Sequence, residues 1–149
     1  MTAVVPPEEF WQGVEQFNQQ EFYACHDTLE ALWMESSEPQ KQFYQGILQI
    51  AVACYHLGNL NWRGAVILLG EGSRHLTDYQ PEYEGINVTE LLTQSIDLLK
   101  ALQLSGPEQV ADFVKQLEIA NPNCSDEVSG EAIRRLPKIL RVDDRRIKG

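Results

Sequence analysis

Apolar residues recur along this chain at three- and four-residue intervals and are interrupted by Gly, Pro, Asn and Ser, the pattern of successive amphipathic helices. Phe10, Trp11, Val14 and Phe17 form one stripe and predict a helix from about Pro7 to Phe17, started by Pro6-Pro7 and broken at Asn18-Gln19-Gln20. Phe22, His26, Leu29, Glu30 and Trp33 share a sector of a second helix that ends near Glu35. Ser36-Ser37-Glu38-Pro39 reads as a turn, with Ser37 and Gln40 in capping-box spacing, and a third helix runs to about Leu57. Gly58-Asn59 closes it, with Asn59 as the expected N-cap of a fourth helix that holds Trp62, Ala65, Val66, Leu68 and Leu69.

Asp78 to Ile86 reads as loop. Asn87 and Glu90 then bracket the start of a fifth helix whose stripe is Leu91, Leu92, Ile96, Leu98, Leu99 and Leu102. Ser105-Gly106-Pro107 begins a sixth, through Val110, Phe113, Val114 and Leu117 to a stop at Asn121-Pro122. Beyond it, Ile133, Leu136, Ile139, Leu140 and Val142 suit an extended arm, since Pro137 opposes a continuous helix. No stretch alternates in the manner of a strand. The expectation is an all-α, compact single-domain array of about six helices over residues 1–121, with a C-terminal arm over 122–149 packed on the body.

A weak echo at an offset of 40 residues refines this. Phe17-Asn18 before Phe22, Ala24 and Leu29 corresponds to Leu57-Gly58 before Trp62, Gly64 and Leu69, which suggests two stacked antiparallel helical hairpins. The second copy resembles one tetratricopeptide half-repeat, although the period differs from that family's 34 residues. A helical peptide-binding scaffold therefore stands as a rival reading.

At 149 residues with 43% hydrophobic content the chain suits one domain. No run approaches the roughly 20 apolar residues that span a bilayer, and the start lacks the character of a signal peptide. Cys25, Cys54 and Cys124 are odd in number and lack C-x-x-C spacing, which fits a reducing, cytoplasmic setting and opposes a disulfide framework. Seven Lys/Arg against three Asp/Glu give residues 131–149 a charge of +4, and five against nineteen give the rest −14. An acidic body repels phosphate backbones, so nucleic acid is not an expected partner, and without a spanning run neither is a membrane; Arg134, Arg135, Lys138 and Arg141 are expected to fold back on that body.

The candidate chemistry lies where polar residues interrupt an apolar face. If Phe22 and Trp33 turn inward, His26 and Glu30 turn inward with them, and a buried imidazole or carboxylate without a partner costs about 1–3 kcal/mol or more. Helix three offers Gln42, Gly46, Gln49, Ala53 and His56 on one small, polar stripe. If that stripe faces helix two, Gln49 and His56 meet His26 and Glu30. Two histidines and a carboxylate suit a divalent ion such as zinc or iron, so His26, Glu30 and His56 are candidate metal ligands, with Gln49, Trp33 and Asp27 around them. A dry hydrogen-bond network of the same groups is the other reading. The H-x-x-x-E spacing lacks the second histidine of H-E-x-x-H, which excludes the zinc-protease motif. Asp27 points about 100° away and is expected in solvent, while His75 suits a helix C-terminus.

His26, Glu30 and Trp33, followed by Gln45-Gly46, Gln49, Ala51, Ala53, His56, Gly58-Asn59 and Gly64-Ala65, resemble the prokaryotic helical family named domain of unknown function 309, over roughly residues 10–80. The resemblance implies a compact helical fold and a metal-binding role for H-x-x-x-E-x-x-W, here His26, Glu30 and Trp33, without supplying an activity. Where the family often has glutamate this chain has Asp27, a shorter carboxylate. Two function classes follow: a small metal-binding, pocket-bearing protein suited to metal-assisted hydrolysis, with a small-molecule or protein partner left open, and a helical interaction module whose polar cluster only sets helix register. Exposure of Tyr79 and Tyr83 would favour the second.

Overall fold

The computed structural model describes residues 6–119 and 135–142, with side chains up to residue 117 in the first segment. Six helices make up most of it: α1 (Glu8–Asn18), α2 (Phe22–Glu35), α3 (Gln40–Gly58), α4 (Trp62–Leu76), α5 (Val88–Ser105) and α6 (Val110–Ile119). The expected all-α class holds, with one addition. In the segment read as loop, β1 (Glu82–Tyr83) and β2 (Ile86–Asn87) pair antiparallel, Glu82 opposite Asn87 and Tyr83 opposite Ile86. Pairs this short leave no alternation to read. The turn between them holds Glu84 and Gly85 at φ 50° and 83°, a geometry that favours hairpin closure.

Each helix buries one stripe. Phe10, Phe17, Phe43 and Phe113 are fully or almost fully enclosed, and burial of one such side chain is worth about 1.5–3 kcal/mol. Tyr44, Tyr79 and Tyr83 ring Phe43, and Tyr83 sits edge-on to it at 4.7 Å. That cluster fastens the small hairpin to α3. Tyr79 and Tyr83 are thus packed side chains rather than the exposed pair that would have favoured the interaction-module reading, and Tyr79 Oη donates to the Pro39 carbonyl at 2.7 Å.

The 40-residue echo is a structural repeat of the two turns. In the α1–α2 turn the N–H groups of Gln19, Gln20 and Glu21 donate to the carbonyls of Glu15, Phe17 and Gln16. In the α3–α4 turn those of Asn59, Leu60 and Asn61 donate to Tyr55, Leu57 and His56, each partner shifted by 40. Gln20 and Leu60 both take positive φ, 67° and 61°. The sharing of one closed turn explains why Asn59 ends α3 rather than starting α4. The N-cap is Asn61, whose Oδ1 accepts from the Gly64 N–H at 2.9 Å. The Ser37–Gln40 box is also absent; Pro39 holds the N-cap position of α3, and Glu38 Oε1 accepts from the Gln42 N–H instead.

Which helices face each other is decided by small residues. A Cβ on Gly13 would lie 2.8 Å from Leu29 Cδ2, so α1 rests closely on α2. A Cβ on Gly46 would meet Leu76 at 2.8 Å and the Gly72 carbonyl at 3.2 Å, so the small stripe of α3 receives α4. It does not receive α2, as the arrangement of the candidate site supposed. The segment 135–142 lies along α1 and β2: Ile139 and Val142 are buried, Asn18 pairs with the Ile139 backbone through both its Oδ1 and its Nδ2, and Gln94 does the same with Lys138. Lys138 Nζ donates to the Asn18 carbonyl and the Arg141 guanidinium lies over Trp11, so carbonyl and ring contacts hold these cations to the body. Asn121, Pro122, Cys124, Ile133 and Arg134 lie outside the described residues.

Candidate functional site

The apolar face of α2 is Phe22, Cys25 and Leu29. Cys25 and Leu29 shift the buried centre of the helix away from the direction of His26, so His26 lies on the flank and Glu30 further out. The side chains of His26, Glu30 and Asp27 are 29%, 47% and 63% exposed. The inward burial expected of His26 and Glu30 is therefore replaced by a rim position, and the desolvation cost that motivated it falls accordingly.

What the rim gains is a histidine with a carboxylate at each ring nitrogen. His26 Nδ1 lies 3.2 Å from Asp27 Oδ1, and Nε2 lies 3.9 Å from Glu30 Oε1. With the ring neutral and its proton on Nδ1, that N–H donates to Asp27 and the Nε2 lone pair is turned toward Glu30. With the ring protonated, each N–H faces a carboxylate. Ligand atoms from these three residues all lie within 4.8 Å of one another, and among the described residues they are the group of three or more His, Cys, Asp and Glu side chains close enough to share an ion.

His56 is not in that set. Its Nδ1 lies 3.4 Å from Asn61 Nδ2, and its ring packs on Gly64, where a Cβ would come within 2.8 Å of Cδ2. It belongs to the α3–α4 turn. Gln49 is likewise turned to α4: His75 Nδ1 donates to Gln49 Oε1 at 2.8 Å, and Gln49 Nε2 donates to Glu71 Oε1 at 3.3 Å. That network was missed in the sequence, where Glu71 and His75 stand at i and i+4 on α4 and signal it. Trp33 lies under Lys41, whose Nζ is 4.2 Å from the ring centroid and donates to the Trp33 carbonyl at 2.8 Å. The Trp33 Nε1 is buried without a hydrogen-bond partner among the described residues.

The rings beside the cluster form a row that the sequence reading also missed. His26 stacks with Tyr23 at 6.2 Å and 22°, Tyr23 meets Tyr55 at 5.5 Å, and Tyr55 meets His56 at 6.2 Å. His26 and His56 thus stand at opposite ends of a four-ring line across α2 and α3. The thiols of the described residues offer no competing chemistry: burial pushes Cys25 up to about 12 and Cys54 higher still, so neither supplies a thiolate near neutrality.

No helix of the described residues is long and apolar enough to cross a membrane. The chain is 35% identical over 57 residues to the uncharacterized protein YpuF of Bacillus subtilis, covering 38% of this chain and 33% of that one. It is 21% identical over 103 residues to an uncharacterized protein of Aquifex aeolicus, covering 68% of this chain and 31% of that one. The aligned part is thus about a third of the length of each relative. Residues 10–68, from α1 into α4 and including His26, Glu30, Trp33, Gln49 and His56, match the family described as Domain of unknown function (DUF309), the family that the motif residues resembled.

Proposed function

We propose that His26, Asp27 and Glu30 form a solvent-open divalent-cation site, with His26 Nε2 and Glu30 as ligands and Asp27 as the acceptor that orients the imidazole. The observation that carries this reading is the placement of one carboxylate at each ring nitrogen, 3.2 Å and 3.9 Å away. An ion such as zinc, roughly 2.0–2.2 Å from nitrogen and oxygen ligands, fits between Nε2 and Glu30 Oε1 with little side-chain rotation. A carboxylate on the second nitrogen is the usual support of a ligating histidine, because it fixes the tautomer and raises the basicity of the ligand. His56 takes no part, being held by Asn61 and Gly64.

Two protein ligands leave coordination positions that face solvent. A bound ion supplies Lewis acidity and an activated water there, so metal-assisted hydrolysis is the reaction class this arrangement fits. Glu30→Gln tests the ion directly. It keeps the shape and removes the charge, so the wild-type melt rises with added zinc and falls back with chelator, whereas the variant melt moves with neither. A wild-type melt indifferent to both refutes the proposal.

A further inference from the structure

The face of α2 and α3 that carries Tyr23 and Tyr55 turns large side chains to solvent. Tyr23 is 60% exposed, Tyr55 41% and Met34 67%. Tyr23, Asp27, Glu30 and Met34 follow i, i+4, i+7 and i+11 along α2, so they line one side of that helix, away from Phe22, Cys25 and Leu29. Tyr55 joins the line from α3, 5.5 Å from Tyr23. Aromatic and methionine side chains grouped in this way on a surface are the composition of a recognition patch.

The charge says what would cover it. Residues 1–40 hold eight Asp/Glu and no Lys or Arg. Lys41, the first cation in the chain, is turned over Trp33 and bonded to its carbonyl. On α1 the chain supplies its own cations: Lys138 reaches the Asn18 carbonyl and Arg141 lies over Trp11. The α2 face has no such cover among the described residues. A second copy would bring like charges together, which opposes self-association through this patch.

We infer that this face docks a Lys/Arg-rich polypeptide segment. The cations of the segment pair with Asp27 and Glu30 and lie over Tyr23 and Tyr55, while their aliphatic stems pack on Met34, the same ring-over-cation contact that Arg141 makes with Trp11. The inference does not rest on ion binding, and its test is run in chelator. Anisotropy of a labelled Arg/Lys-rich peptide is measured against the full chain, with a Glu-rich peptide as control. The expected result is saturable binding of the basic peptide alone, weakened about tenfold or more by Tyr23→Ser with Tyr55→Ser and restored by phenylalanine at both positions. Asp27→Asn with Glu30→Gln weakens it comparably, whereas Glu8→Gln with Glu9→Gln, the same charge change on α1, alters it less than about threefold. Absence of binding, indifference to the tyrosine pair, or equal loss in both charge pairs overturns the inference.

Discussion

Gly46 on α3 and Gly72 on α4 face each other so closely that a Cβ built on Gly72 would lie 2.8 Å from the Gly46 carbonyl oxygen and 3.1 Å from the Ile50 amide nitrogen. The corresponding Cβ on Gly46 meets mainly the side chain of Leu76, at 2.8 Å, with the Gly72 carbonyl further off at 3.2 Å. A side chain gives way at less cost than backbone does. Gly72→Ala is therefore expected to destabilise the protein by about 1–3 kcal/mol and Gly46→Ala by less, part of each cost being offset by the better helix propensity of alanine. Urea titration of the two variants measures the difference, and equal stability of Gly72→Ala and wild type would contradict the close crossing.

The two asparagines of the α3–α4 turn have separable roles. Asn61 caps α4 through the Gly64 N–H and also touches His56. Asn61→Ala is expected to cost about 1 kcal/mol, whereas Asn59→Ala, at the end of α3, costs a few tenths at most. Thermal melts in which Asn59→Ala is the more damaging change would return the N-cap to Asn59.

Glu84 supplies a pH dependence with a definite sign. Burial raises its carboxyl above the ordinary 4.5, opposed by a hydrogen bond from Gln40, and Oε1 has no hydrogen-bond partner among the described residues. The folded state therefore holds this proton more tightly than the unfolded chain does. The contribution is fully present below the unfolded value and is lost as pH rises through the folded one. Glu84→Gln, which cannot ionise, is expected to melt higher than wild type at pH 7, with the advantage shrinking as pH falls through the raised folded value toward 4.5 and lost below it. An advantage that grows on acidification would reverse the assignment.

The helices were legible because stripes such as Phe10, Val14 and Phe17 need only local periodicity, and the two-hairpin repeat was legible because its turns keep the same spacing at Gln20 and Leu60. The choice between Asn59 and Asn61 as a cap was not, since it depends on the positive φ of the intervening Leu60. The His26 and Glu30 pairing was readable from i, i+4 spacing, as was the family resemblance of their motif. Their distance from His56 was not. It follows from the Gly46 and Gly72 crossing, which gives the polar stripe of α3 to α4 and sends Gln49 to His75 and Glu71. Asp27, placed in solvent by its helical angle, is indeed exposed, yet one rotamer brings its Oδ1 to His26 Nδ1.

Binding of an ion between His26 and Glu30 is read by calorimetric titration of zinc into tag-free protein and into its His26→Ala and His56→Ala variants. The expected result is uptake of one ion per chain, abolished in His26→Ala and retained in His56→Ala, since of these two histidines only His26 shares a cluster with Glu30 and Asp27. No uptake by the wild type, or uptake lost in His56→Ala and kept in His26→Ala, would contradict it.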